Sequence, residues 1–329
     1  MPTNGRMLAA IITSPGKVRI ENVPVPQPAH GQVLVELEGC GVCASSLPLW
    51  EGRPGLTYPM EPGQPGYEGW GRIEALGPGV VDLEEGQRVA MLSDHGYAQY
   101  DVAPASQVAL LPTTLDEMPF PGKTLGCAMN IFMRSAINPG DFVGIVGIGF
   151  LGAVLAKLAS SVGASVLAIS RRQHSLQMAR LMGAAGTIVM DNPARVLKRV
   201  GEMTGGRLCD VVIEAAGEQG PLDLSAELTR EHGRLIVAGY HRDGPRQVDM
   251  QLWNLRGIDV INAHDRAPKT YMEGIKAAVA AVSRDLIDPT PLYTHNFGLD
   301  GLGDALNAAS KRPDRFVKAL IMMAPRGRA

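Results

Sequence analysis

The chain has 329 residues, 45% of them hydrophobic and 19% charged, with a formal net charge of −2. That length and balance are expected of a soluble protein with two domains, and they give no reason to seek nucleic acid or an anionic membrane as partner. No apolar run is long enough to span a bilayer, Met7 to Ile12 stops too soon for a secretory signal, and four cysteines are too few for a disulfide scaffold, so a reducing, cytoplasmic setting is expected.

The first third reads as strands. Leu8 to Ile12, Val18 to Glu21, Gln32 to Glu38, Gly69 to Leu76, Arg88 to Met91 and Ala98 to Val102 alternate apolar and polar residues. Pro and Gly punctuate them, at Pro24, Pro26, Pro28, Pro62 and Pro65 and in the turns Gly77-Pro78-Gly79 and Glu85-Gly86. Many short strands separated by turn signals predict a small all-β barrel. Two stretches inside it hold side chains able to do chemistry, GCGVCASSLPLWEG from Gly39 to Gly52 and PGYEGWG from Pro65 to Gly71. Trp50 and Trp70 read as core, as do Cys40 and Cys209, and His95 as a surface histidine.

A helix is predicted over Leu125 to Ser135, with Cys127 near its start. The turn Asn138-Pro139-Gly140 then leads into residues 141–172, the most informative stretch of the chain. Phe142 to Val146 reads as a buried strand, and Gly147, Gly149 and Gly152 supply G-x-G-x-x-G at its end. A helix follows, opened by Phe150 and Leu151, with Leu151, Val154, Leu155, Leu158 and Val162 on one face, and then a strand, Ser165 to Ile169. The chain has 39 glycines, so the motif alone means little; between a strand and a helix it is the fingerprint of a dinucleotide site. Gly147 allows the tight turn, Gly149 the approach of a pyrophosphate, Gly152 the packing of helix on strand, and the helix N-terminus faces the phosphates.

NAD binders usually place an acidic residue at the end of the second strand for the ribose 2′-hydroxyl. Here stand Ser170, Arg171 and Arg172, which suit a 2′-phosphate, so NADP(H) is the expected cofactor. Further on, a helix ended by Gly183, a strand at Thr187 to Met190, a helix over about Ala194 to Thr204, and strands at Asp210 to Ile213 and Arg234 to Val237 continue a parallel, doubly wound sheet. Ala215, Ala216 and Gly217 at one strand end, and Gly239 at the next, leave room for ribose and nicotinamide. After Val260-Ile261-Asn262 the pattern changes: Tyr271 to Val282 reads as helix, and 291–329 as strand, turn and helix.

Taken together, these stretches resemble the medium-chain dehydrogenase/reductase superfamily, in its zinc alcohol and polyol dehydrogenase branch. That family carries G-[VI]-C-x-S-D, then G-H-E-x-x-G, then a further Cys just before the dinucleotide fold. The matching positions are Cys43, Ser45 and Ser46; Gly66, Tyr67 and Glu68; and Cys127. The resemblance runs from GQVLVELEGCGVC to THNFGLDGLGDAL. It implies a GroES-like β-barrel catalytic domain over 1–127 and 264–329, a Rossmann domain over 128–263, and a homodimer. It also implies a substrate cleft between the domains, to which Asn262 and His264 are candidate contributors.

The departures shape the expected chemistry. In the zinc enzymes a Cys, a His and a second Cys hold the metal, and the Glu beside the His can join. Here Tyr67 takes the His position and Ser46 replaces the Asp that would orient it, which is how a lapsed metal site should look. No catalytic zinc is therefore expected, with Cys43, Glu68 and Cys127 as residual candidate ligands. The structural-zinc lobe is also missing, since MLSDHG before Tyr97 contains no Cys. The candidate catalytic residues are Tyr67, as donor or general acid; Ser45, as the family's proton-relay hydroxyl or a loop cap; and Glu68, catalytic or structural. Without a Lewis acid, hydride transfer is easiest where charge spreads over a conjugated system. The expected function is NADPH-dependent reduction of an activated C=C bond in a small polar molecule. The alternatives are an NADP-dependent alcohol or ketone dehydrogenase, with or without residual zinc, and an NADPH-binding protein without turnover.

Overall fold

The computed structural model describes residues 5–265 and 267–324. Alternating apolar residues and Gly/Pro turns make the first third β-rich. In chain order, β1 (Arg6–Ser14) and β2 (Lys17–Pro24) form an antiparallel pair, and β3 (Gln32–Gly41) leads to the short α1 (Leu47–Glu51). Then come β4 (Gly69–Leu76), β5 (Arg88–Met91), β6 (Tyr100–Pro104), β7 (Val108–Leu110) and α2 (Gly122–Ser135). Strands and helices alternate next: β8 (Phe142–Val146), α3 (Phe150–Ser161), β9 (Ser165–Ser170), α4 (Gln173–Leu181), β10 (Gly186–Val189) and α5 (Pro193–Met203). They continue with β11 (Cys209–Glu214), α6 (Gln219–Leu228), β12 (Thr229–Val237), α7 (Met250–Arg256) and β13 (Asp259–Asn262). The tail adds α8 (Pro268–Ser283), β14 (Tyr293–Phe297), α9 (Leu302–Lys311) and β15 (Lys318–Met322).

The chain divides into two compact units. Among the described residues the first holds 5–126, 267–283 and 293–324, and the second 127–265 and 284–292. The segment 284–292, placed with the barrel by the sequence, groups with the second unit; Ile287 and Leu292 in it are buried.

In the first unit a sheet runs β14-β15-β3-β4-β5-β7, with β6 also on β3. It is the GroES-like barrel. The tail enters it because β15 pairs antiparallel with β3, setting Leu320 opposite Gly41, and β14 runs parallel to β15. One apolar cluster packs Val33, Val35, Leu37, Ile73, Val89 and Met91; another gathers Ile12, Cys40, Trp50, Tyr97, Leu306 and Ile321. Each fully buried aliphatic side chain of this kind contributes about 1.5–3 kcal/mol. Trp50 and Trp70 are core residues, 4% and 1% exposed.

The second unit is a Rossmann fold. Its six strands run in the order β10-β9-β8-β11-β12-β13, every neighbouring pair parallel. Strand order reverses between β8 and β11, the switch point outside whose carboxyl ends such sheets bind ligands. Burial corrects the single apolar face expected for α3. Gly152, Ala153, Ala156 and Ala159 are buried as well as Val154, Leu155 and Leu158, because small residues let the helix sink into its neighbours.

Candidate functional site

The glycine turn sits at the carboxyl end of β8. Gly147 has φ +102°, and its N–H donates to Ile169 O at 2.9 Å. A Cβ there would stand 2.8 Å from Ala216 N. Gly149 precedes α3 in an extended conformation, no side chain caps the helix, and a Cβ on Gly149 would meet nothing within 4 Å. Gly152 closes the helix on the turn: its Cβ would lie 2.2 Å from Gly147 O. Phe150 buries its side chain and Leu151 half-buries its own. A bare helix N-terminus with open space in front of Gly149 is a cradle that fits a pyrophosphate.

Two strand ends flank this turn. After β9, the Ser170 hydroxyl is buried and accepts from Arg172 N–H at 3.3 Å. Arg171 is exposed and pairs with Glu218 at 3.2 Å, and Arg172 is half-buried at the head of α4. After β11, Glu214 organises the loop the sequence assigns to the cofactor. Its Oε1 accepts from the N–H groups of Ala216 and Gly217, both at 2.7 Å, and Ala215 N–H donates to Val146 O at 2.8 Å. Gly217 has φ +75°, and a Cβ on Gly239 would stand 2.3 Å from Gly217 N, so both positions require glycine. His241 Nδ1 accepts from Arg246 Nε at 2.8 Å, which leaves the ring proton on Nε2 to donate to Glu214 Oε2 at 3.1 Å. Asn262 Oδ1 accepts from His264 N–H at 3.1 Å, and the His264 ring stacks on Tyr240, so both hold local structure.

In the first unit, β3, the 66–69 segment and β15 converge. Gly41 N–H donates to Glu68 O at 3.1 Å, and Val42 N–H to Ala319 O at 2.9 Å. Glu68 is fully buried; Lys318, 4% exposed, donates to its Oε2 at 2.6 Å and to Val42 O at 3.1 Å. A Cβ on Gly41 would lie 2.1 Å from that oxygen. Ser46 is buried and donates to Pro65 O at 3.0 Å, tying the Cys43 turn to the segment that leads to Tyr67. Ser45 donates to Cys43 Sγ at 3.0 Å. Tyr67 is half-buried, and Lys123 Nζ lies 4.0 Å from the centre of its ring.

His95 is a satisfied, partly exposed histidine that also braces this segment. Its Nδ1 meets Asp94 Oδ1 at 2.9 Å and its Nε2 meets Glu61 Oε2 at 3.1 Å. The hydrogen bond to Asp94, with that to Glu61, outweighs burial and lifts its pKa to about 9. Gly66 N–H donates to Asp94 O and Tyr97 N–H to Gly63 O, at 2.9 and 3.0 Å. Burial pushes the Cys40 thiol well up and the Cys209 thiol to about 12, as inert core cysteines should be.

These donors do not fit a tetrahedral zinc site. A phenol stands where the imidazole would be, its ring covered by an ammonium, and the Cys43 thiol is engaged by Ser45. Glu68 Oε1 is buried with no hydrogen-bond partner among the described residues, but its other oxygen already holds Lys318. Cys127 is half-buried in α2. Among the described residues no three His, Cys, Asp or Glu side chains gather into a metal-binding group.

Sequence reasoning missed Lys318, Lys123 and Glu214. Each left a trace: a lone Lys in the apolar strand KALIM, a Lys four residues before Cys127 on one helix face, and a carboxylate ending CDVVIE.

The family of oxidoreductases to which these features point is decided by two matches. The alcohol dehydrogenase GroES-like domain matches residues 29–113, and the zinc-binding dehydrogenase domain residues 150–280. The chain belongs to the medium-chain dehydrogenase/reductase superfamily. Membership makes it a nicotinamide-dependent oxidoreductase. Within the superfamily it is 27% identical to sorbitol dehydrogenase of Gallus gallus, over 94% of this chain and 95% of that protein. It is 27% identical to alcohol dehydrogenase of Geobacillus stearothermophilus, over 88% and 94% of the two chains. A mycobacterial structure complexed with NADPH shares the fold, with a TM-score of 0.82 at 22% identity, covering 96% of this chain and 99% of that one. Among the described residues no helix is long and apolar enough to cross a membrane.

Proposed function

We propose that this protein is an NADPH-dependent reductase of an activated, enone-type C=C bond in a small polar substrate, working without catalytic zinc. The observation that carries the reading is a contrast of parts. The glycine turn is complete and is followed by Arg171 and Arg172, whereas Tyr67, its ring under Lys123, stands where the resemblance to the zinc enzymes leads one to expect an imidazole. Bound NADPH would supply the hydride. Gly147, Gly149 and Gly152 shape the pyrophosphate seat, and Phe150 and Leu151 start the helix whose N–H groups face it. Arg171 and Arg172 give charge-assisted hydrogen bonds to a 2′-phosphate, and Ser170 avoids the repulsion a carboxylate would bring. Ala215, Ala216, Gly217 and Gly239 keep side chains clear of the ribose and nicotinamide.

On the substrate side, the Tyr67 hydroxyl would donate a hydrogen bond to the carbonyl oxygen, and the Ser45 hydroxyl would do so on turning from Cys43 Sγ. Such donors suffice when developing charge is shared along a conjugated system and fall short for a localised alkoxide. Glu68 is a structural carboxylate in this reading, held by Lys318. The kinship with sorbitol and alcohol dehydrogenases favours a second reading, an alcohol or ketone dehydrogenase with Cys43, Glu68 and Cys127 as residual ligands.

Incubating the enzyme with NADPH and a panel of enones and ketones separates the two. Saturated ketone is the product expected from an enone, with no stoichiometric zinc in protein purified without chelator. Allylic alcohol as the product, or one zinc per chain that activity follows, overturns the first reading and supports the second.

A further inference from the structure

We propose that Lys123 is a substrate-binding residue that selects molecules carrying a carboxylate. The inference rests on reading the first unit as the part that handles substrate. Lys123 stands in the first turn of α2, where the helix dipole disfavours a cation. Among the described residues Lys123 makes no ion pair or side-chain hydrogen bond. Instead its ammonium lies between two aromatic rings, 4.0 Å from the centre of Tyr67 and 5.8 Å from that of Tyr271. All three side chains are half-buried.

Ring faces attract the charge but accept none of the ammonium's hydrogen bonds in good geometry. A half-buried cation held only by π-faces keeps its N–H donors for a visitor, and a surface lysine without a task would extend to water. Tyr67, on which it lies, occupies the position where metal-dependent relatives place a ligand. One positive charge resting on ring faces suits a monoanion.

Calorimetric titration of the NADP⁺-saturated enzyme with 4-oxopentanoate and with 2-pentanone, which lacks the carboxylate, tests this without turnover. Wild type should bind the keto acid about tenfold more tightly than the ketone, the factor expected of a charge-assisted hydrogen bond. Lys123→Met should lose that preference and Lys123→Arg keep most of it, with melting curves showing that each variant is folded. Should Lys123→Met not fold, Lys123→Gln is read in its place. Equal binding of the two ligands by wild type, or a preference that survives Lys123→Met, overturns the proposal. Reduction of 4-oxo-2-pentenoate by NADPH is followed in parallel. Lys123-dependent binding with no turnover sinks the reductase reading and spares this one; turnover with kcat/KM untouched by Lys123→Met sinks this one alone.

Discussion

The glycine turn of the second unit and the Tyr67 loop of the first are built from different materials. The turn is made of backbone: Gly147 and Gly152 answer steric demands, Gly152 placing a Cβ 2.2 Å from Gly147 O, and Gly149 leaves open space before the helix. The loop is made of side chains drawn from far along the chain, with Lys318 reaching Glu68 across 250 residues. A backbone device either keeps its residues or stops working. A side-chain device can exchange its parts while the frame stays, because Gly41, Gly66 and the β3–β15 pairing fix the frame independently. A fold can in this way keep one kind of site while the side chains of another change.

The contrast breaks most visibly at Lys318. Lys318→Met leaves the Glu68 carboxylate buried without its cation, and removing one partner of such a pair costs about 3–5 kcal/mol. Chemical denaturation should show that loss, and Lys318→Met with Glu68→Gln should recover most of it. A single variant as stable as wild type would show that the pair is not what holds this loop. Gly152→Val is next. Its Cβ meets backbone oxygen, which cannot step aside, so about 1–3 kcal/mol of stability should go together with NADPH binding. Fluorescence titration giving a wild-type Kd for that variant would remove the steric account of the turn.

What the sequence disclosed follows the same division. Strands β4, β5 and β8 begin and end where alternation and turn residues place them, and the glycine motif lies between β8 and α3 as its spacing demands. Periodicity and backbone strain are local, so a short window contains them. The contacts that define the Tyr67 loop are not local. Lys318 lies in an apolar strand and is not singled out by the sequence, and Lys123 lies ahead of the Leu125 start predicted for a helix that begins at Gly122. His95 looked like a surface residue because neither Asp94 nor Glu61 announces that it turns toward the ring. The sequence offers Arg171 as a candidate phosphate ligand but not its ion pair with Glu218, which forms because β8 lies between β9 and β11 in the sheet.

That last pair gives a smaller test. Arg171→Ala should raise KM for NADPH about tenfold, the worth of one charge-assisted hydrogen bond, and leave KM for NADH unchanged. Ser170→Asp should move the ratio of specificity constants the same way, by repelling the 2′-phosphate. Glu218→Gln frees Arg171 from an exposed pair, so NADPH should bind only slightly more tightly, about twofold to threefold. A ratio unmoved by all three would detach cofactor choice from the end of β9.

A further small effect is a pH dependence in the brace behind Tyr67. His95 is raised to about 9 in the folded chain, first by its hydrogen bond to Asp94, against about 6.5 when unfolded. The folded state therefore holds this proton more tightly. The resulting stability is fully present below about pH 6.5 and is lost as pH rises through about 9. The ring is 33% exposed and its partners more so, so solvent screening limits the effect to about 1 kcal/mol. Melting curves of wild type and His95→Gln should differ most near pH 6 and converge by about pH 10. A difference that stays constant across that range would mean the imidazole holds the 61–66 segment by packing alone, and the first unit's loop would then owe less to charge than its Lys318–Glu68 pair suggests.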